Sequence, residues 1–451
     1  MLAPNQEQLQ DASYATLRAH ATSDQAKALV AKLAAMVEQH TIQAGLRQRK
    51  RRDTAGKLEY ATGAFLADLL RPFEAEEPNG WVHRSLNKSS FTGRPVGRHA
   101  FYQLYDGLEG LGFLQHVPGH KVSDESSDTG KYAARFRATP ELLKFCAEQG
   151  VSPTAVLDHF EFEYDLPEHP VQLRRRKLRT SYRTTEPVGR PMEFERTPVV
   201  MGMEHAISEL NEFFAKQTLR GGVHEGYIRI FQNGDDPDFD WNKGGRLYSQ
   251  HFTGSYQVMS GTRRRKMTIN GEPVAEIDIS GSYLTIFLSL HGLQLNLTED
   301  PYGLPGLGLE HRGAVKQWFV GTFGNKKPIR RWPKDMLDDD PGLRQYRAAE
   351  ITEAVFTKYP VLKSWGEPLN GRVYSWADLM WLESAVMVAT MLDLMHHHKT
   401  PSLSVHDSLI VPVSKAEVAS EALRSRFQAQ QKVAPRLKIN WPVNEPVPSE
   451  K

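Results

Sequence analysis

The fold is decided by the stretch Val274-Ala-Glu-Ile-Asp278-Ile-Ser-Gly-Ser-Tyr283-Leu-Thr-Ile-Phe287. Its first half is rich in apolar residues and predicts a buried strand. Ser282 can cap a helix that runs through Tyr283 and Phe287 and ends near Gly292. The sequence therefore places Asp278 where a strand ends and a helix begins. An aspartate at such a turn is common and does not by itself indicate function.

A second aspartate, Asp407, lies in a similar setting. The segment Ser402-Leu-Ser-Val-His-Asp-Ser-Leu-Ile-Val-Pro412 predicts two short apolar strands that are joined at His406 and Asp407. If these strand ends are neighbours of Asp278, the two acids could hold two divalent cations. Two metal ions about 3.5–4 Å apart stabilise the attacking and leaving oxygens of phosphoryl transfer, and oxygen ligands suit magnesium.

Two cations lie between the acids along the chain. Arg312 and Lys316 belong to the segment Glu310-His-Arg-Gly-Ala-Val-Lys-Gln-Trp-Phe-Val-Gly321 and are four positions apart. On a helix this spacing puts both side chains on one face, where both can reach a polyphosphate.

These residues carry a resemblance to a known family. In chain order, Asp278, the Arg312/Lys316 helix and Val405-His406-Asp407 resemble the three signature motifs of the family A DNA polymerases and the related single-subunit phage RNA polymerases. Upstream, three segments resemble the part of this family that contacts the primer-template: Gly245-Arg246-Leu-Tyr-Ser249, Tyr256-Gln257 and Arg263-Arg264-Arg265. The resemblance covers roughly residues 200 to 440.

The resemblance implies an α+β fold in which residues 201–451 form a polymerase palm, with an antiparallel sheet, and helical fingers. It also implies that Asp278, Asp407 and the backbone carbonyl of Ile279 bind Mg²⁺, with Mn²⁺ as an alternative. Arg312 and Lys316 would then bind the incoming nucleoside triphosphate. The residues implied to contact a DNA primer-template, or a single-stranded template, are Arg246, Arg263, Arg264 and His406.

Tyr283 is the residue expected to distinguish deoxyribonucleotides from ribonucleotides. It lies five positions after Asp278, where polymerase palms face the sugar of the incoming nucleotide. Family A DNA polymerases have Glu at this position, family B enzymes have Tyr and phage RNA polymerases have Gly. A bulky ring would occupy the space of a ribose 2′-hydroxyl, so DNA synthesis is expected. The alternative is that Tyr283 is a core aromatic residue of its helix.

The sequence also departs from the family. Ser408 follows Asp407, whereas DNA polymerases usually have Glu at this position. The serine is closer to the phage RNA polymerases. Val320 replaces an aromatic residue of the family. No complete exonuclease domain is evident. We therefore expect a template-directed nucleotidyltransferase, a DNA polymerase without proofreading. Two alternatives are a primase or RNA polymerase, and a winged-helix replication initiator or regulator with an inactive palm.

The amino-terminal half has a different pattern. Residues 1–75 show helical spacing of apolar residues, and residues 76–150 predict the order helix, strand, hairpin, strand and helix of a winged-helix-like domain. Lys131, Arg135 and Arg137 would be the basic residues of its wing and would contact nucleic-acid phosphates. A scaffold for protein contacts is the alternative. Residues 151–200 predict a basic linker.

The composition is that of an ordinary soluble protein. The chain has 451 residues, which predicts two or three domains, and a formal net charge of only +2. Any nucleic-acid surface must therefore come from local clusters of basic residues. A single cysteine, Cys146, excludes an internal disulfide framework. Without a visible signal peptide or membrane span, we expect no membrane partner and a cytoplasmic protein of a bacterial or phage-infected cell.

Overall fold

The quoted stretch forms a strand, a turn and a helix, which confirms the predicted order. In the computed structural model, the strand Glu272–Ile279 is followed by Gly281 and by the helix Ser282–Leu290. Gly281 has a φ angle of 70°. This left-handed conformation costs little only for glycine, because a Cβ atom would approach the backbone too closely. Gly281 thus lets the chain turn sharply just after Asp278.

The structure describes residues 12–45, 55–74, 80–91, 95–121, 131–163, 166–177, 189–250 and 255–442. The described helices, in chain order, are α1 (Asp24–Gln43), α2 (Ala55–Leu70), α3 (Arg98–Gly110), α4 (Pro140–Glu148), α5 (Pro198–Ala215), α6 (Gly261–Arg264), α7 (Ser282–Leu290), α8 (Arg312–Gly324), α9 (Lys334–Asp339), α10 (Ala348–Lys358), α11 (Trp376–His398) and α12 (Ala416–Gln431).

The described strands, in the same order, are β1 (Ser13–Tyr14), β2 (Ala19–Ala21), β3 (Trp81–Arg84), β4 (Leu114–Val117), β5 (His120–Lys121), β6 (Lys131–Tyr132), β7 (Ala134–Ala138), β8 (Phe160–Phe162), β9 (Val171–Arg174), β10 (Pro191–Met192), β11 (Leu219–Arg220), β12 (Tyr227–Phe231), β13 (Gly244–Ser249), β14 (Thr268–Ile269), β15 (Glu272–Ile279), β16 (Pro368–Leu369), β17 (Arg372–Val373), β18 (Leu403–Val405), β19 (Ser408–Pro412) and β20 (Leu437–Asn440). The fold is a mixture of helices and several antiparallel sheets, which confirms the α+β prediction.

The chain divides into two compact units. The first comprises Met1–Asp165, Leu219–Glu225 and His251–Lys266, and the second comprises Leu166–Thr218, Gly226–Gln250 and Met267–Lys451. The predicted regions 1–75 and 76–150 thus belong to one unit. Part of the predicted linker 151–200 forms strands β9 and β10 of the second unit.

The first unit packs helices α1, α2 and α3 together beside a four-stranded sheet of order β1-β3-β7-β4. Strands β3 and β4 pair with β7 in antiparallel fashion, whereas β1 and β3 are parallel. Phe65 of α2, Phe101 of α3 and Phe136 of β7 are fully buried, with ring centroids 4.9 to 5.7 Å apart. Large aromatic rings from three elements therefore join the helices to the sheet in one apolar core.

The second unit is arranged around β15. This strand pairs with β19 on one side and with β20 on the other, and the sheet continues to β14 and β18. Val274, Ala275, Ile277 and Ile279 are all buried, as expected for a central strand covered on both faces. A second sheet has the order β10-β9-β12-β13. Helix α11 packs against β13, α12 and α7, and so connects the two sheets.

Helix α11 is, within the described residues, the only helix long and apolar enough to cross a membrane. More than half of its most apolar segment is buried inside the protein. It also carries the acids Asp378 and Glu383, both almost fully buried. These properties are those of the core helix of a globular protein.

Candidate functional site

The two predicted acids meet at one end of the central sheet. In the antiparallel register of β15 and β19, Asp278 lies opposite Ser408, the residue that follows Asp407. The amide of Ile279 donates to the carbonyl oxygen of Asp407 at 3.1 Å, which extends the ladder to the second acid. The hydroxyl of Ser408 donates to Oδ1 of Asp278 at 2.9 Å. The backbone ladder thus fixes both acids, and Ser408 helps to orient the first.

Asp407 is held in a tight hairpin. Strands β18 and β19 are joined by His406 and Asp407 alone, since Val405 pairs with Ser408. His406 has a φ angle of 56° and an exposed side chain. Two-residue hairpins require a positive φ at the first loop position, a conformation that glycine adopts more readily than histidine. The hairpin therefore presents His406 to solvent beside the acid pair.

A third acid at the site, Glu383, forms a buried ion pair with Arg246. It lies on α11 with 1% of its side chain exposed, and Arg246 of β13 donates to it through Nε at 2.9 Å and Nη2 at 2.5 Å. The Arg246 guanidinium also lies 5.7 Å from the centre of the Tyr283 ring. The structure thus turns Arg246 towards Glu383 and Tyr283 in the interior of this site.

These residues line a cavity of about 180 Å³. Charged and polar walls come from Arg246, Tyr283, Lys316, Glu383 and Asp407, and apolar walls come from Phe319, Val320 and Phe323. Gly281 and Ser282, in the turn that follows Asp278, also line the cavity, whereas Asp278 itself does not. A single small cavity therefore brings together residues from the first, second and third sequence motifs.

The surroundings of this cavity shift the pKa values of several of its side chains. Burial, followed by the charges of Glu383 and Asp278, raises the pKa of Asp407 to about 8, although Arg246 opposes the shift. Burial also raises the pKa of Tyr283 and, with the charges of Asp407 and Asp278, that of Tyr302. Burial disfavours the charge of Arg246, but Glu383 and its neighbours outweigh this effect and raise the pKa of Arg246. Asp407 is therefore a buried acid with two further carboxylates close enough to affect its ionisation.

The two phosphate-binding candidates lie on α8. Lys316 is exposed and lines the cavity. Arg312 is one turn earlier and forms an ion pair with Asp300, with Nε 2.5 Å from Oδ2. Its guanidinium also lies 5.4 Å from the centre of the Tyr302 ring. Lys316 thus lines the cavity of Asp407, whereas Arg312 lines a different cavity and already has a carboxylate partner.

The remaining predicted nucleic-acid contacts belong to the first unit. Arg135 is buried, so its guanidinium is not presented at the surface. Arg137 is partly exposed and lies over the ring of Trp81. The side chain of Lys131 and the hairpin tip 122–130 lie outside the described residues. Arg263 is exposed on α6, whereas Arg264 donates to the carbonyl oxygen of Met259 at 2.6 Å.

Sequence reasoning missed Glu383, Asp300 and Tyr302. The sequence does offer one signal for Glu383, because an acid among the apolar residues of a core helix needs a partner when it is buried. Asp300 and Tyr302 lie in the loop before α8 and match no motif. Their positions follow from tertiary packing, which no local pattern reveals.

No group of three or more His, Cys, Asp or Glu side chains in the described ranges forms a cluster with metal-binding geometry. No known protein family matches the chain, and no curated protein matches it at a significant level.

Proposed function

We propose that this chain is a template-directed nucleotidyltransferase, specifically a DNA polymerase without proofreading, whose second unit acts as the palm and fingers. The observation that carries the proposal is the meeting of Asp278 and Asp407 on paired antiparallel strands, next to a cavity lined by Tyr283 and Lys316. Three sequence motifs that resemble those of family A polymerases supply these residues in the family's order. Geometry and resemblance thus support the same reaction.

The donor set fits a hard divalent cation. Asp278 and Asp407 offer carboxylate oxygens, and the backbone carbonyl of Ile279 is a further candidate ligand. Mg²⁺ is usually held by one or two carboxylates together with substrate phosphates and waters. Burial, followed by the charges of Glu383 and Asp278, raises the pKa of Asp407, and a bound cation would favour the ionised form of this carboxyl group. When bound, Mg²⁺ or Mn²⁺ would stabilise the charge that develops on the oxygens around the transferred phosphorus.

The other residues of the cavity have roles that follow from their charge and position. Lys316 and Arg312, one helical turn apart, can hold the triphosphate of the incoming nucleotide. The Tyr283 ring, packed under the Arg246 guanidinium, can close the space that a ribose 2′-hydroxyl needs. Little covalent chemistry is required of the protein, since phosphoryl transfer depends on positioning and charge stabilisation.

The experiment is an extension assay with the full chain, Mg²⁺ or Mn²⁺, and a labelled strand. The strand is supplied as a primer-template or as a bare single strand, and dNTPs and NTPs are offered separately. We expect extension of the primer-template with dNTPs. Synthesis from NTPs on a bare strand would favour the primase or RNA polymerase. Binding of DNA without any synthesis would favour the replication initiator or regulator with an inactive palm.

A further inference from the structure

Arg312 has a partner that mimics its expected ligand. Nε of Arg312 donates a hydrogen bond to Oδ2 of Asp300 at 2.5 Å, and Nη2 of Arg312 donates to Oδ1 of Asp300 at 3.4 Å. Guanidinium groups bind carboxylates and phosphates with the same two-point geometry. The side chain that would hold a phosphate thus holds an internal anion.

Asp300 is fixed in place by its own loop. Its Oδ1 accepts a hydrogen bond from the amide of Tyr302 at 3.1 Å, which forms a local turn. The Lys358 amine, at the end of α10, donates to the carbonyl oxygens of Asp300 at 3.1 Å and Gly303 at 2.8 Å. The Tyr359 hydroxyl donates to the carbonyl oxygen of Pro301 at 3.0 Å. The loop is therefore tied to α10 independently of Arg312.

The same loop reaches the turn that follows Asp278. A Cβ atom built on Gly281 would lie 3.4 Å from Cγ of Pro301, which is ordinary packing distance. On its other side, the loop borders a cavity of about 340 Å³ lined by Glu299, Asp300, Arg312 and Lys358. The loop that carries Asp300 thus approaches the turn after Asp278 and also lines a space large enough for a polyphosphate.

We infer that Asp300 is an internal competitor for Arg312, occupying the place that a phosphate of the incoming nucleotide takes. The inference rests on the proposed function. A nucleotide must displace Asp300 from Arg312, and the freed carboxylate then repels the polyphosphate. Asp300 thereby lowers the affinity of the site for polyphosphates and discourages occupation by weakly bound ones.

The ionisation of Asp300 agrees with this role. Burial opposes its charge, but the hydrogen bonds from Arg312 and the amide of Tyr302, and the charge of Arg312, lower the pKa of Asp300 below its ordinary value. The competitor is therefore charged at neutral pH.

The test measures binding of inorganic tripolyphosphate to the full chain by calorimetry. Asp300→Asn keeps an oxygen for the turn but removes the charge, so we expect binding about three- to tenfold tighter than that of the unmodified chain. Glu299→Gln is the matched control, because it removes a charge from the same cavity but its partner is Lys358, at 3.3 Å. We expect it to change binding less than about twofold. In an Arg312→Gln background, Asp300→Asn should give no gain.

Unchanged or weaker binding by Asp300→Asn would overturn the inference, as would an equal gain from Glu299→Gln or no binding by any variant. Asp300→Ser, which can keep the turn through its hydroxyl, repeats the test if Asp300→Asn unfolds at a lower temperature. Primer extension by the same proteins separates the two proposals. Tighter binding by Asp300→Asn without any synthesis would support Asp300 as a competitor and contradict the polymerase. Synthesis without tighter binding would support the polymerase and contradict Asp300 as a competitor.

Discussion

At the scale of single residues, the site depends on one buried ion pair that local sequence patterns do not reveal. Glu383 is almost fully buried and Arg246 has 17% of its side chain exposed. The acids Asp278 and Asp407 could be predicted from sequence, because each sits at the end of an apolar strand. Glu383 could not be assigned to the site, because its helix is apolar on all sides and only tertiary packing shows which residue it meets.

Glu383→Gln should destabilise the second unit, because Arg246 would keep its charge without a carboxylate partner. Breaking a buried pair on one side costs about 3 kcal/mol or more. Thermal and denaturant unfolding measure this loss. The matched variant Arg246→Met with Glu383→Leu should recover most of the stability but no primer extension. An unchanged unfolding temperature for Glu383→Gln would show that the pair contributes nothing to the fold.

Tyr283→Ala should increase the use of ribonucleotides relative to deoxyribonucleotides. The ring would no longer fill the space beside the sugar, and relief of a clash worth about 1–3 kcal/mol corresponds to roughly a five- to hundredfold change in the ratio. Single-nucleotide incorporation with dNTPs and NTPs measures the ratio of ribonucleotide to deoxyribonucleotide use. Tyr283→Phe is the control, since it keeps the ring and should keep the ratio. If the unmodified chain already uses dNTPs and NTPs equally, Tyr283 does not discriminate against ribonucleotides.

At the scale of elements, the junction between β15 and α7 positions the first acid. The strand and the helix could be predicted because apolar residues mark the strand, and Ser282 and Gly292 mark the two ends of the helix. The sequence suggested Ser282 as the helix cap, whereas the structure places Gly281 at the N-cap position with no side-chain hydrogen bond. The left-handed turn, which only the backbone angles reveal, takes precedence over the usual capping preference.

Gly281→Ala should lower stability by about 1–2 kcal/mol and reduce primer extension, because an L-residue is strained at a φ of 70° and the strain falls next to Asp278. Gly292→Ala is the matched control. It also has a positive φ, of 69°, with no atom near the added Cβ, but it follows the other end of α7. We expect similar destabilisation with normal extension. Equal loss of extension in both variants would mean that the turn has no special role in placing Asp278.

At the scale of the whole molecule, the chain forms two units, and each unit is built from three separate segments of the sequence. The order of elements in residues 76–150 could be predicted, since helical and strand periods alternate clearly there. Sequence patterns could not predict that the first unit also includes Leu219–Glu225 and His251–Lys266. These segments are distant along the chain and join the unit through packing. Truncation near residue 150 would remove most of that unit and leave these segments without their partners, so point variants are the better probe of nucleic-acid binding.

Arg137→Gln and Arg263→Gln should each reduce the salt dependence of duplex DNA binding. Each phosphate contact that is lost should lower the slope of log affinity against log salt by about 1, because one counterion fewer is released. Fluorescence anisotropy at several salt concentrations measures the slope. Lys144→Gln removes an exposed charge that no motif assigns to nucleic acid, and it should leave the slope unchanged. Equal slopes for all variants would favour a protein-interaction role for the first unit.

The most direct measurement of the central claim is single-turnover primer extension by Asp278→Asn and Asp407→Asn, each of which keeps the size of the side chain and removes its charge. Because each acid is proposed to hold the catalytic cations, both variants should lose extension by about a thousandfold or more, while their unfolding temperatures and DNA affinities stay close to those of the unmodified chain. Extension at the unmodified rate by either variant would contradict the assignment of Asp278 and Asp407 as the metal-binding pair.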